Sequence, residues 1–305
     1  MAKPRIIITG GSGLLAVNWC VTMRDRFDVV LAVHKRNRAL AGAVAKVLDL
    51  SSRASVQAAL DEFKPQAVIH TAGCTSVEGC EQAPELARYV NVELSENVAS
   101  ACASRGTSLI HISTDHLFTG DRSMATEQMP VAPQNVYGKT KAEAEVRVAQ
   151  ICPEALIIRT NFYGWGTSYR RSFSDVIVAA LRNGRGISLF NDVYYTPILA
   201  EVLIEVSHEL LDRGASGVFN VVGSERLTKL QFGLLLAEVF GLDASPIREG
   251  TMALVPDLVV RPSDMSLSNG KLRALIGRET GSVKDHLTRL RQQELVGLAS
   301  ELGKL

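Results

Sequence analysis

Apolar residues along the 305-residue chain fall into two alternating patterns. Five short runs are apolar almost throughout: RIIIT (5–9), DVVLAV (28–33), AVIHTA (67–72), SLIHIST (108–114) and ALIIRT (155–160). Such runs suit strands buried on both faces, which is the condition of a parallel sheet covered by helices. Between them lie SVQAALDEF (55–63), the long stretch PELARYVNVELSENVASACASRG (84–106) and KAEAEVRVAQI (141–151), whose apolar positions recur at helical spacing, with Gly106 as a stop signal. Strand and helix alternate, so the pattern predicts an α/β fold with a Rossmann-type doubly wound parallel sheet.

Beyond residue 160 the rhythm loosens into the aromatic, glycine-rich RTNFYGWGTSYRR. A helix-like stretch (199–214) and a strand-like GVFNVV (217–222) then return to the sheet pattern, and LTKLQFGLLLAEVFG (227–241) predicts one more helix. The expected division is a larger unit of residues 1–160 and 199–224 and a smaller lobe of residues 161–198 and 225–305.

Composition removes several classes of function. Lys and Arg total 33 against 32 Asp and Glu, a net charge of +1 that gives no electrostatic footing for nucleic acid or an anionic membrane. The five cysteines are scattered without metal-ligand spacing, so reduced thiols and no metal are expected. The amino terminus passes into the first strand without a secretory signal, and no apolar stretch approaches the roughly 20 residues of a bilayer span. A cytoplasmic protein is the expectation.

Chemistry concentrates at strand ends. TGGSGLLA (9–16) follows the first strand directly, where glycines allow backbone N–H groups to approach a diphosphate and a helix N-terminus favours negative charge. This makes the larger unit the dinucleotide-binding domain and the smaller one the substrate-binding lobe. Where a third glycine is usual stands Ala16, which adds one methyl group. The second strand runs into His34, Lys35 and Arg36, cations that suit a 2′-phosphate where an NAD site usually carries an acid, so NADP(H) is favoured over NAD(H). Asp49 and Leu50 could enclose an adenine ring. Tyr137 and Lys141 lie four apart at the start of a helical stretch and share one face, so the ammonium could lower the phenol's pKa and make a general acid/base, with Thr114 at the end of a central strand binding the reacting oxygen. Arg261 could grip a substrate phosphate or pair with Asp264 in its own loop.

These residues resemble the extended short-chain dehydrogenase/reductases, whose TGxxGxxG and YxxxK motifs match TGGSGLLA and YGKTK. Within that superfamily ISTDHLFTG, PQNVYGKTKAEAE and RPSDMSLSNGKLRALIG look like stretches of the dTDP-4-dehydrorhamnose reductases and of the related regulatory β subunit of methionine adenosyltransferase. The likeness spans essentially the whole chain. It implies that Gly10, Ser12, Gly13, Leu14 and Leu15 wrap a diphosphate and that Thr71, Ala72 and Gly73 pass under the cofactor. It further implies that Tyr137 gives a proton to a sugar ketone, Thr114 binds the carbonyl, and Lys141 holds the nicotinamide ribose. Asn91 matches a helix asparagine near the active site or serves the helix interior. The stretch RTNFYG lacks the tryptophan that packs on the sugar in the rhamnose-pathway enzymes; Phe162 or Asn161 takes its place, and Asn161 also resembles a diphosphate-binding asparagine. The implied activity is NADPH-dependent reduction of a nucleotide-linked 4-keto-6-deoxysugar by a homodimer. An epimerase or dehydratase with the same triad and an NADP-binding regulatory subunit stand as alternatives.

Overall fold

The computed structural model describes residues 3–34, 40–255 and 257–305. In chain order the first half comprises β1 (Arg5–Thr9), α1 (Leu14–Met23), β2 (Asp28–Val33), β3 (Ala43–Val47), α2 (Arg53–Phe63), β4 (Ala67–His70), α3 (Val77–Gln82), α4 (Pro84–Arg88), α5 (Leu94–Arg105), β5 (Ser108–Ile112), α6 (Val136–Ile151) and β6 (Leu156–Arg159). The second comprises β7 (Phe162–Tyr163), α7 (Phe173–Arg182), β8 (Ile187–Phe190), β9 (Tyr194–Tyr195), β10 (Ile198–Leu199), α8 (Ala200–Asp212), β11 (Gly217–Asn220), β12 (Leu227–Thr228), α9 (Lys229–Phe240), β13 (Ile247–Gly250), α10 (Gly270–Ile276), α11 (Val283–Leu295) and α12 (Leu298–Gly303).

Seven strands form a parallel sheet in the order β11-β6-β5-β4-β1-β2-β3. Alternation along each strand splits its side chains between two cores. Ile6, Ile8, Leu31, Ile69 and Ile110 meet Trp19 of α1 and Leu203 of α8 on one face. Ile7, Val30, Val68, Leu109 and Ile157 meet Leu60 of α2, Val98 of α5 and Val148 of α6 on the other. The doubly wound reading is therefore correct, and the apolar runs owe their continuity to burial on both sides. Strand order turns between β1 and β4, which opens a crevice at their carboxyl ends.

Two strands end earlier than the apolar runs suggest. AVIHTA leaves the sheet after His70 and SLIHIST after Ile112, so residues 71–73 and 113–114 swing into the crevice. The stretch 84–106 is also not one helix: a π-helical turn at Tyr89–Glu93 separates α4 from α5, and Gly106 ends α5 in the left-handed conformation at φ 61°. The small pairs β7–β10, β9–β12 and β8–β13 lie outside this sheet, in the segment after residue 160. It shares a core with the sheet, since Phe232, Phe240 and Leu290 belong to the same cluster as Ile6 and Trp19. Arg24, the C-cap of α1, reaches Glu301 of α12 at 2.5 and 3.0 Å. Among the described residues no helix is long and apolar enough to cross a membrane, and no cluster of His, Cys, Asp or Glu could hold a metal ion.

Candidate active site

The glycine turn is shaped by close backbone approach. Gly10 has φ +67°, and a Cβ there would stand 2.8 Å from the Ala72 Cα, so only glycine fits between β1 and the loop after β4. Gly13 donates to the Gly10 carbonyl at 2.7 Å and caps α1 without a side-chain partner, leaving the helix's first N–H groups open to the crevice. Ala16 is fully buried in the core and tolerates the close packing that a third glycine would otherwise serve.

A cleft of about 440 Å³ lies across this turn. Ser12, Gly13, Leu14 and Leu15 line one side, Thr71, Ala72 and Gly73 the floor, and Thr114, Tyr137 and Lys141 the far wall. Asn91 explains how the floor is held: its Oδ1 accepts from Cys74 N at 2.7 Å, and its Nδ2 donates to Cys74 O at 3.1 Å and Thr140 Oγ1 at 2.9 Å. The π turn points this fully buried amide between the loop and α6, so Asn91 positions the site as well as filling the helix interior. The Asn135 side chain caps α6 at Gly138 N, 2.8 Å away, and donates to Val260 O at 3.0 Å. Gly138 lets the first turn of α6 press on the loop after β5, for a Cβ there would meet His116 O at 2.3 Å.

Thr114, Tyr137 and Lys141 are all buried, and Thr114 is a side-chain hydrogen-bond partner of the Tyr137 hydroxyl. The charge relation expected from the Tyr–Lys spacing is not what the geometry gives. Burial pushes the Tyr137 phenol above its ordinary value, the Thr114 bond opposes that shift, and Asp115 adds to it. Lys141 turns its ammonium away to donate to Ile112 O at 2.6 Å, with His111 Nε2 at 3.5 Å. Burial lowers Lys141 to about 8, against the pull of Glu145 one turn along α6. Behind it His111 stacks on His70 at 5.5 Å, and His70 is held between Thr9 Oγ1 at 2.7 Å and Ser95 Oγ at 2.9 Å. Two buried hydroxyls of the cleft, Ser113 Oγ and Thr160 Oγ1, have no hydrogen-bond partner. A cradle closed to any Cβ, open helix N–H groups and unspent hydroxyls fit a polar dinucleotide.

On the substrate side Asn161 and Phe162 both line the cleft, and Asn161 Nδ2 donates to Asp115 Oδ2 at 2.5 Å. His116 meets the Tyr137 ring edge-on at 5.5 Å. Arg261 does not line the cleft, and it does not pair with Asp264: its guanidinium pairs with Glu78 of α3, while Arg226 takes Asp264 at 2.6 Å.

A model of the RmlD substrate binding domain family matches residues 4–295. The chain belongs to that family. The probable low-salt glycan biosynthesis reductase of Haloferax volcanii is 31% identical over 287 residues, 93% of this chain and 96% of its own. The β subunit of methionine adenosyltransferase 2 from Xenopus laevis is 28% identical over 288 residues, covering 90% of this chain and 84% of its own. Among solved structures, dTDP-4-dehydrorhamnose reductase from Bacillus anthracis in complex with NADP superposes with a TM-score of 0.86 at 24% identity, over 95% of this chain and 99% of that one. Sugar-nucleotide reductases are among the relatives of this RmlD-family chain, which is an oxidoreductase.

The family resemblance and the geometry do not reach every residue singled out in the sequence. His34 is exposed at the end of β2, while Lys35 and Arg36 lie outside the described residues. Asp49 is spent on its own turn, accepting from Ser51 N at 2.9 Å and Ser51 Oγ at 2.6 Å, and neither it nor Leu50 lines the cleft. Conversely, Tyr169 and Arg170 were not foreseen. From the loop before α7 the Tyr169 hydroxyl donates to Ser12 O and Arg170 donates to Thr75 Oγ1, so the segment bridges both banks of the cleft. The aromatic, glycine-rich composition of 159–171 was the available signal.

Proposed function

We propose that the protein is an NADP(H)-dependent reductase of a nucleotide-linked 4-keto-6-deoxysugar. The observation that carries this reading is the convergence of Thr114, Tyr137 and Lys141 on the same cleft as the glycine turn. Ser12 to Leu15 and the loop Thr71 to Gly73 would hold the dinucleotide, and His34 with Lys35 and Arg36 would receive its 2′-phosphate. When bound, the dinucleotide supplies the hydride equivalent. The protein's own part is placement and proton delivery. The buried Tyr137 phenol is protonated at neutral pH and can give its proton to a developing alkoxide, which is the stronger base. Thr114 would share a hydrogen bond with the same oxygen, and Lys141, released from Ile112 O, would anchor the ribose. Asn161 and Phe162 would face the sugar, in the second lobe that residues 161–198 and 225–305 would provide.

Asp115 is followed by His116 where a dehydratase would be expected to carry an acidic pair. A regulatory-subunit reading draws on the methionine adenosyltransferase relative, but it gives no use to a buried hydroxyl, phenol and amine gathered in one cleft. The test is a thermal-shift panel of NADPH and NADH with dTDP-, UDP-, GDP- and CDP-linked keto-sugars, followed by nicotinamide absorbance on any hit. Stoichiometric consumption of NADPH is expected. Turnover of the sugar without net consumption would establish an epimerase, and stronger stabilisation by NADH would overturn the cofactor assignment.

A further inference from the structure

Lys229 opens α9, immediately after its N-cap Thr228. Its Nζ sits 3.3 Å from the centre of the Tyr195 ring and 5.0 Å from that of Phe173, an aromatic seat behind the cleft wall within electrostatic reach of Asp115 and His116, which line the cleft. Neither Arg261 nor Arg226 is similarly free, since Glu78 and Asp264 neutralise them. Asp115, which feels the Lys229 charge, is hydrogen-bonded by Asn161 at 2.5 Å and Thr114 at 3.3 Å. The Lys229 ammonium makes no hydrogen bond or ion pair to any described residue.

Placing a cation there is unfavourable in three ways. It is taken out of water, it lies at the positive end of a helix, and Arg261 adds like charge. Together burial and Arg261 bring Lys229 down to about 8 despite the opposing pull of Asp115. The fold retains the charge although methionine or leucine would fill the same aromatic seat, and an anion arriving with substrate would supply the missing partner. Resting on the sugar-nucleotide reading above, we propose that Lys229 is a specificity residue that binds a phosphoryl oxygen of the substrate's diphosphate.

The test compares the full-length wild type with Lys229→Met and Lys229→Arg, each with NADP+ bound, by calorimetric titration of dTDP, UDP, GDP and CDP, with the nucleosides alone as controls. The expected result is that Lys229→Met weakens the preferred diphosphate about tenfold or more, the scale of a charge-assisted hydrogen bond. Nucleoside and NADP+ affinities should stay within about twofold, and Lys229→Arg should recover most of the loss. In turnover, KM should rise and kcat hold. Equal diphosphate affinity in wild type and Lys229→Met overturns the inference while leaving the reductase reading intact. Diphosphate binding that depends on Lys229 in a protein that reduces no keto-sugar supports the inference and overturns the reductase reading. A wild type that binds none of the four diphosphates overturns both.

Discussion

Replacing Glu145 with glutamine tests how α6, which carries Tyr137 and Lys141, is tied to the sheet. Glu145 of α6 and Arg159 at the end of β6 are almost fully enclosed, with side-chain exposures of 6% and 5%. They meet through three short contacts, Arg159 Nε to the two carboxylate oxygens at 2.9 and 3.2 Å and Nη2 to Oε2 at 2.7 Å. Arg159 Nη1 has no partner of its own, so the guanidinium relies on this carboxylate. A neutral amide leaves a buried cation uncompensated, which costs about 3–5 kcal/mol when one member of such a pair is removed. At about 2–4 °C per kcal/mol for a chain of this class, the melting temperature should fall on the order of 10 °C. Glu145 also supports the charge on Lys141, so its loss should move Lys141 further below 8 and shift the alkaline limb of the pH–rate profile to lower pH. Differential scanning fluorimetry and a pH–rate series read the two effects separately. The double variant Glu145→Gln/Arg159→Met should regain much of the stability without restoring the pH profile. A melting temperature within about 2 °C of wild type, with an unchanged alkaline limb, would refute the argument.

Three other outcomes follow from the geometry. Burial depresses His70 to about 3 and His208 to about 4, so below the unfolded pKa of about 6.5 the unfolded chain binds protons that the fold excludes; stability should be complete above pH 6.5 and decline as pH falls toward 4, and flat denaturant midpoints from pH 7 to 4 would contradict this. Gly10→Ala should lose dinucleotide binding by more than about tenfold, because it combines a left-handed backbone with a Cβ 2.8 Å from Ala72 Cα, and calorimetric titration with NADPH at wild-type affinity would disprove the close-approach argument. Burial lifts the Cys20, Cys80 and Cys102 thiols to about 12, so iodoacetamide at pH 8 should label them only after denaturation, as read by peptide mass spectrometry; rapid native labelling would show that these positions open.

The sheet was legible because burial on both faces forces nearly unbroken apolar runs, and β1 and β2 occupy the same residues that the pattern marks. The gathering of Thr114, Tyr137 and Lys141 in one cleft was legible because a strand end, a helix start and an i,i+4 spacing leave local signatures. Other features depend on contacts that no local pattern carries. Strands of two residues such as β7 and β9 are too short for periodicity, and the π turn that aims Asn91 at Cys74 is set by packing against α6. The Tyr–Lys spacing predicts shared faces but neither the Ile112 carbonyl that takes the Lys141 ammonium nor the burial that raises Tyr137. Arg261 found Glu78, 183 positions away, instead of its neighbour Asp264.

The most direct measurement is nicotinamide oxidation by Tyr137→Phe alongside wild type, with NADPH affinity measured on the same preparations. The account predicts that kcat with a nucleotide-linked keto-sugar falls by about a hundredfold or more, the scale of a lost general acid, while NADPH affinity changes by less than about twofold. Wild-type turnover by Tyr137→Phe would contradict it.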